Sequence, residues 1–309
     1  MKANYSAPGK IILFGEHAVV YGEPAIAVAV DKRTTCKVVQ TDEETTVNGY
    51  PIDREYHSYI LEALKCVDID SPLKIITESD VPSGAGMGSS AAVTVATLAS
   101  LHDIEGKVDE ETIAREAFKV EWAVQGSASP IDTSTSTHGN AVMLSKEMGE
   151  DFLWNISKEG NEWNIHHSDI PDMQMVIGDT GIHAKTGPLV DKVRRFYMNN
   201  NFAKEIVEEI GKIVMEGSKA LSDGDLEKVG ELMDRDHELL TILGVSHPKL
   251  ERLVRGARKY SYGAKLTGAG GGGSMVAVTD DPEKVANIIK RRGGTPYIID
   301  TTDKGFREN

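Results

Sequence analysis

The stretch PSGAGMGSSAAVTVATL, residues 82–98, constrains this chain more than any other. Glycine at every second position from residue 84 to residue 88 permits positive φ and lets backbone N–H groups approach a ligand closely. Ser89 or Ser90 is expected to cap the helix that the following small and apolar run predicts. A glycine loop that enters a helix N-terminus forms an anion site. The sequence therefore predicts that a nucleotide or a phosphorylated metabolite binds here.

Two familiar phosphate loops do not fit. The P-loop ends in Gly-Lys-Ser/Thr, whereas this loop ends in Gly88-Ser89-Ser90 with no lysine. A second cluster, GAGGGG at 268–273, matches the dinucleotide-binding pattern by letter, but SMVAV follows it and reads as a strand. Because that pattern requires a helix at this point, an oxidoreductase of the dinucleotide-binding class is not expected.

Composition and charge narrow the class of protein further. The 309 residues include 48 acidic and 34 basic residues, and a net charge of −14 opposes non-specific binding to nucleic acid or anionic membrane. Cys36 and Cys66 show neither metal-ligand spacing nor a disulfide framework. No apolar run approaches the roughly 18 residues of a membrane span, and no apolar leader begins the sequence. A soluble, unprocessed, cytoplasmic protein with no nucleic-acid or membrane partner is expected.

Strands and helices are predicted in groups, which indicates an α+β fold. Strands are expected at residues 11–14, 25–30, 34–39, 73–77, 173–180, 263–266 and 274–278. Helices are expected near 55–66, at 90–102 and 110–125, and in four stretches within 191–259. The segment 145–172 is polar and weakly periodic, and it contains Pro171. A domain boundary at its end would give domains 1–171 and 172–309.

One carboxylate lies where a helix should be apolar. With 100° per residue, Ile113, Ala117, Phe118 and Val124 share a face of the helix 110–125, and Glu121 falls among them. A buried carboxylate is costly unless it is paired or binds a metal ion. A glutamate that reaches an interior partner, or a different rotation of the helix, is the alternative reading.

Three further positions carry groups suited to chemistry. GSASPIDTSTSTHGN surrounds Asp132 with hydroxyl residues, and such a stretch is more often a polar loop than an active site. Asp132 could nevertheless be a catalytic carboxylate if a cation and a substrate hydroxyl lie beside it. Lys10, Glu16 and His17 flank one short apolar strand, where an edge lysine and a loop histidine are the ordinary alternatives.

Three motifs in order resemble the GHMP small-molecule kinases. They are APGKIILFGEHAVVYGE at 7–23, VPSGAGMGSSAA at 81–92 and KLTGAGGGGSMVAV at 265–278. Within that superfamily, Gly-Glu-His followed by Ala-Val-Val-Tyr-Gly resembles the mevalonate kinases of the archaeal type. The resemblance implies a two-domain GHMP kinase fold with the active site in the interdomain cleft. It also implies transfer of phosphate from ATP to the C5 hydroxyl of mevalonate, in isoprenoid biosynthesis.

The resemblance implies roles for the two glycine-rich loops. Gly270 and Gly271 would close the nucleotide site from the second loop. The first loop would wrap the phosphates of ATP through Pro82, Ser83, Gly84, Ala85, Gly86, Met87, Gly88, Ser89 and Ser90. Pro130, where many relatives have glycine, should stiffen the approach to Asp132.

The remaining roles follow from the same resemblance. Asp132 would accept or orient the proton of the attacking hydroxyl, and Lys10 would keep that aspartate ionised. Glu121 and Ser90 would bind Mg²⁺. The substrate-binding residues would be Glu16, His17 and Thr186.

Two alternatives stay open at this point. Another GHMP kinase would act on phosphomevalonate, homoserine or a sugar. A non-catalytic sensor of the same fold would bind nucleotide without turnover, although neither the lysine nor the aspartate is lost. A homodimer is possible.

Overall fold

The computed structural model describes residues 1–126, 128–149, 151–182 and 186–309. Strands and helices are grouped along the chain, which confirms the α+β prediction. The strands are β1 (Lys2–Phe14), β2 (Ala25–Gln40), β3 (Thr46–Val47), β4 (Tyr50–Pro51), β5 (Leu73–Ser79), β6 (Ala141–Ser145), β7 (Phe152–Lys158), β8 (Asn161–Ser168), β9 (Gln174–Asp179), β10 (Gly263–Thr267), β11 (Ser274–Val278), β12 (Thr295–Asp300) and β13 (Arg307–Glu308). The helices are α1 (Ser58–Leu64), α2 (Ser89–Glu105), α3 (Glu110–Gln125), α4 (Ile131–His138), α5 (Thr186–Asn199), α6 (Asn201–Ser222), α7 (Leu226–Ile242), α8 (Pro248–Ala257) and α9 (Pro282–Arg291).

The larger sheet is built on the long antiparallel pair β1 and β2. Its strand order over the described residues is β4-β3-β5-β2-β6-β8-β7, with β1 on β2 and β13 on β1. The sequence predicts two strands where β2 is a single strand of 16 residues. Asp31 and Lys32 interrupt the apolar alternation of the sequence. In the structure they form a β-bulge between the pairs Gly9–Val30 and Pro8–Arg33, and the pairing with β1 continues beyond it.

The smaller sheet belongs to the second half of the chain. Its order is β10-β11-β9-β12, and all three pairings are antiparallel. The four helical stretches expected between 191 and 259 correspond to α5–α8, while α9 and β12 were not predicted. A hydrophobic cluster joins the two sheets, since it contains Ile11 and Phe14 of β1 together with Ile177 of β9 and Val276 of β11.

The polar segment expected to mark a domain boundary contains two strands. β7 and β8 pair as a hairpin whose turn residues Glu159 and Gly160 both have positive φ. Trp154, Ile156 and Ile165 are buried, so the hairpin has one apolar face among many polar residues. The division into domains 1–171 and 172–309 stays a prediction.

The last residues, 301–309, return to the larger sheet and are called the C-terminal strap. Asn140 N–H donates to the Thr302 carbonyl at 2.9 Å, and Phe306 N–H donates to the Thr137 carbonyl at 3.0 Å. The strap ends in β13, which pairs with β1. It therefore joins the end of α4 to the strand that carries Lys10.

No helix among the described residues is both long enough and apolar enough to cross a membrane.

Candidate active site

A cavity of about 760 Å³ lies where the two glycine-rich segments face each other. β1, the loop 82–88, α2, α3 and α4 supply walls from the first half of the chain. Gly268 and Ala269, which follow β10, supply a wall from the second half. The cavity thus lies between the two halves, at the start of α2 and of α4.

The first glycine loop has the backbone that its sequence predicts. Gly84, Gly86 and Gly88 have φ of 76°, 75° and 66°, a region that favours glycine. The expected serine cap is wrong. Gly88 is the N-cap residue of α2, and no side chain of the described residues caps this helix. The uncapped first turn leaves backbone N–H groups available to an anion.

Lys10 and Asp132 form an ion pair in this cavity. The Lys10 Nζ lies 2.5 Å from the Asp132 Oδ1. The Lys10 N–H donates to the Met87 carbonyl at 3.0 Å, which attaches β1 to the glycine loop. A Cβ on Gly88 would lie 2.9 Å from the Lys10 Cε, so the lysine can take this path only beneath a glycine. Its partner remains accessible, with the Asp132 side chain 29% exposed.

Asp132 lies on a helix, so the interpretation of its surroundings as a polar loop is wrong for residues 131–138. α4 begins after Pro130, whose φ of −71° suits a helix start. Two of its buried hydroxyls bond to carbonyls one turn earlier: Thr135 Oγ1 donates to the Ile131 carbonyl at 2.6 Å and Thr137 Oγ1 to the Thr133 carbonyl at 2.8 Å. Asp132 therefore lies in the first turn, where the helix dipole favours a negative charge.

The helix-face anomaly at Glu121 is a buried carboxylate at the cavity wall. Glu121 is 2% exposed, and its Oε1 accepts hydrogen bonds from Ser90 Oγ at 2.9 Å and Gln125 Nε2 at 3.2 Å. Burial, and then the charge of Asp132, raise the pKa of Glu121 to about 7. The Ser90 hydroxyl, which was expected to cap the helix, donates its hydrogen bond to this carboxylate instead.

The donor set at Ser90 and Glu121 fits a magnesium ion that is bound mainly by phosphate and water. One carboxylate and one hydroxyl oxygen are adjacent, and Mg²⁺ commonly takes few protein ligands beside a nucleotide. Among the described residues no group of three or more His, Cys, Asp or Glu could hold a metal ion alone. The site can therefore complete a metal's coordination but cannot provide all of it.

Glu16, His17 and Thr186 reach the cavity from other elements. His17 has φ of 62°, its Nε2 lies 2.9 Å from the Ala269 carbonyl, and burial lowers its pKa. Glu16 lies at the wall, but its carboxylate is paired with Lys265 and its side chain is 1% exposed. Thr186, the first residue of α5, is also a wall residue.

Three of the predicted nucleotide-binding residues do not line this cavity. Gly270 and Gly271 are not among the described wall residues, because their backbone packs on Val245 and the Gly271 N–H donates to the Val245 carbonyl at 2.7 Å. Gly268 and Ala269, which precede them in the same loop, line the cavity instead. Ala85 is 1% exposed and is also absent from the wall, while the rest of 82–90 lines it.

Two buried charges near the site were missed by the sequence interpretation. Lys265 Nζ lies against the Glu16 carboxylate and 3.0 Å from the Asp236 Oδ2. The helical repeat could have identified Asp236 as buried, because it shares a stripe with Val229, Met233 and Leu240. Lys265 occupies an apolar strand and gave a weaker signal.

Family models match both halves of the chain. The family of GHMP kinases N terminal domains matches residues 56–140, and that of GHMP kinases C terminal domains matches residues 218–295. A mevalonate kinase of Pyrococcus abyssi is 37% identical, over 98% of this chain and 96% of its own.

Two solved structures are similar over nearly the whole chain. The mevalonate kinase of Methanococcus jannaschii is 28% identical with a TM-score of 0.77, covering 98% of each chain. That of L. major, in complex with R-mevalonate, is 26% identical with a TM-score of 0.79, covering 97% of this chain and 96% of its own. The chain therefore belongs to the mevalonate kinase family of the GHMP kinases.

Proposed function

We propose that this protein phosphorylates the C5 hydroxyl of (R)-mevalonate with ATP and releases 5-phosphomevalonate and ADP. The observation that carries the proposal is the meeting of two pairs in one cavity, Lys10 with Asp132 and Ser90 with Glu121, beside a glycine loop. The first pair suits a reacting hydroxyl, and the second suits the cation that accompanies a nucleotide. The bound R-mevalonate of the L. major relative supports this choice of acceptor.

Asp132 is the group that we assign to the acceptor hydroxyl. As the O5–phosphorus bond forms and the bond to the ADP oxygen breaks, the hydroxyl proton passes to the Asp132 carboxylate. Its 29% exposed side chain can reach a ligand in the cavity. The Lys10 ammonium, 2.5 Å away, balances the aspartate charge and fixes its orientation.

The first glycine loop and the start of α2 would hold the transferred phosphate. The charge spreads over the phosphoryl oxygens during transfer, and preorganised N–H donors stabilise it without reorganising. The three left-handed glycines of this loop all line the cavity. Gly268 and Ala269 would close the nucleotide side opposite this loop.

Mg²⁺ would be held by Ser90 and Glu121 together with the nucleotide. When bound, the ion would neutralise phosphate charge. Glu121 must release its proton to serve as a ligand, and a pKa of about 7 keeps that proton in place on the acid side of neutrality. The Ser90 Oγ, 2.9 Å away, keeps the carboxylate pointed at this position.

The acceptor would lie against the turn that contains His17 and against Thr186. Burial keeps the His17 imidazole neutral, and its contact with the Ala269 carbonyl makes Nε2 the protonated nitrogen. The other nitrogen can then accept a hydrogen bond. Isoprenoid biosynthesis, a homodimer and a cytoplasmic location remain predictions.

A panel of acceptors tests the proposal. Purified protein with Mg-ATP is given mevalonate, 5-phosphomevalonate, homoserine or galactose, and ADP release is followed while phosphorus NMR locates the new phosphate. Turnover confined to mevalonate, with phosphate on C5, is expected. Turnover of a different acceptor would reassign the substrate, and ATP binding without turnover of any would favour the sensor.

A further inference from the structure

Three contacts join the end of β1 to β10 and the second glycine loop. Thr267 Oγ1 donates to the Ile12 carbonyl at 2.9 Å. Lys265 donates to the Glu16 carboxylate, and His17 donates to the Ala269 carbonyl at 2.9 Å. The turn 15–17 and residues 268–269 are two walls of the same cavity, so these contacts fix the distance across it.

α7 holds β10 from the other side. Over the described residues β10 is one of the two edge strands of its sheet, and an edge strand leaves backbone groups unpaired. Asp234 Oδ1 accepts from the Ala264 N–H at 2.9 Å, and His237 Nδ1 accepts from the Leu266 N–H at 3.1 Å. Between these two backbone contacts, Asp236 meets the side chain of Lys265 at 3.0 Å. The lysine is therefore held on both sides, by α7 and by Glu16.

The three charged groups are almost completely enclosed. The Lys265, Asp236 and Glu16 side chains are 0%, 0% and 1% exposed. Burial raises the pKa of Glu16 to about 7 and raises that of Asp236, although Lys265 opposes both shifts; burial disfavours the lysine's charge, yet the two carboxylates raise its pKa. A buried ionic group adds little net stability compared with apolar residues of the same volume, so a role in geometry is the better explanation.

Glu16 is followed by a residue in a costly conformation. His17 has φ of 62°, which a residue with a Cβ adopts only where its surroundings impose it. On one side the Glu16 carboxylate is fixed by Lys265, and on the other the His17 ring is fixed by Ala269. Loss of the first anchor should therefore release the second.

We propose that Lys265 and Asp236 are positioning residues, which hold Glu16 and thereby keep His17 and the Gly268–Ala269 wall in register for the acceptor. Lys265 and Asp236 do not line the cavity. Glu16 then acts through Lys265 instead of binding the acceptor with its own carboxylate. The inference rests on the proposed function for its kinetic part and on the hydrogen bond of His17 for its structural part.

The test compares Glu16→Gln, Asp236→Asn, their combination and Asp234→Asn. Asp234 is the matched control, since it lies on the same helix and also binds β10 but does not contact Lys265. The isosteric Asn and Gln keep acceptor oxygens for Lys265 and favour folding, which the unfolding temperature checks. Acceptor kinetics are measured beside histidine ¹H–¹⁵N NMR, with the His17 signal assigned through His17→Gln.

A positioning role predicts that Glu16→Gln and Asp236→Asn each lower kcat/KM for mevalonate by about tenfold. The His17 Nε2–H signal weakens in both, and the double variant departs from the product of the single effects by about fivefold or more. Asp234→Asn leaves the kinetics and the signal within twofold of wild type. If Glu16 binds the acceptor directly, Asp236→Asn is kinetically silent and the effects multiply, which would overturn the inference.

Failure of the proposed function has a different signature. If wild-type protein does not phosphorylate mevalonate, the function is rejected, while the NMR comparison still decides the network. An unchanged His17 signal in both Glu16→Gln and Asp236→Asn would reject the positioning role even if mevalonate were the substrate.

Discussion

Two lysines lie beside the two glycine-rich segments of this protein, and their surroundings are opposite. Lys10 passes beneath Gly88 to an aspartate whose side chain is 29% exposed. Lys265, three residues before Gly268, meets two carboxylates that are at most 1% exposed. The first pair can meet a ligand, whereas the second is closed to it. The difference in burial therefore separates the proposed roles: the accessible Lys10–Asp132 pair takes part in the chemistry, and the buried Lys265 group positions other residues.

The largest effect is expected at the accessible pair. Asp132→Asn removes the proton acceptor but keeps the size of the side chain, so turnover should fall by about 10² or more with nucleotide affinity nearly unchanged. Steady-state kinetics and binding of a non-hydrolysable ATP analogue measure the two quantities. Near-normal turnover would contradict the role given to Asp132.

Replacing each lysine by methionine should lower the free energy of unfolding by different amounts in the two regions. Lys265→Met leaves two buried carboxylates without their cation and should lower the free energy of unfolding by about 3 kcal/mol. Lys10→Met should cost about 1 kcal/mol, because its partner is partly exposed to water, but it should nearly abolish turnover. Denaturant unfolding measures both. Equal losses of stability would remove the contrast between the lysines.

Gly88→Ala tests the path of Lys10, with Gly106→Ala as its control. Both glycines have positive φ, at 66° and 69°, so each substitution should cost about 1 kcal/mol. A Cβ at 88 would meet Lys10, whereas one at 106 would have open space around it. Turnover should fall about tenfold or more in Gly88→Ala alone, since Lys10 is displaced. Equal turnover in the two variants would count against the close approach.

The smallest effect concerns the pH dependence contributed by Glu121. Its pKa is raised from 4.5 to about 7, so the folded protein binds more protons than the unfolded chain in that range. This group therefore lowers stability as pH rises from 4.5 through 7. Without metal, Glu121→Gln should have a higher unfolding temperature than wild type. The difference between the two should grow with pH and reach ~2 °C at pH values above 7.

The same variant should need more Mg²⁺ for activity. Calorimetry across pH and a titration of Mg²⁺ measure the two effects. A temperature difference that does not change with pH would contradict the raised pKa, and an unchanged Mg²⁺ requirement would remove Glu121 from the metal site.

The sequence predicted those parts of the site that local chemistry determines. The left-handed glycines follow from the loop sequence, and the burial of Glu121 follows from the helical repeat. The same repeat contains Asp236. Its partner could not be predicted, because the contact of Lys265 with Glu16 joins residues 249 positions apart.

The two errors in the fold have different causes. α4 is rich in β-branched and hydroxyl residues that favour loops or strands, and two of its threonine hydroxyls are satisfied by carbonyls one turn earlier. The β7–β8 hairpin has too few apolar residues for its alternation to stand out. In α4, whose residues 133–137 are all buried, tertiary packing overrides the local preference. In the hairpin, the local signal itself is weak.

A crystal structure with (R)-mevalonate and a non-hydrolysable ATP analogue would decide the division of roles between the carboxylates, since it shows which of them touches the acceptor. We expect an Asp132 oxygen about 3 Å from the C5 hydroxyl oxygen, with Lys10 still on Asp132 and Glu16 still on Lys265. A mevalonate bound to the Glu16 carboxylate, with Asp132 remote from the hydroxyl, would contradict this division.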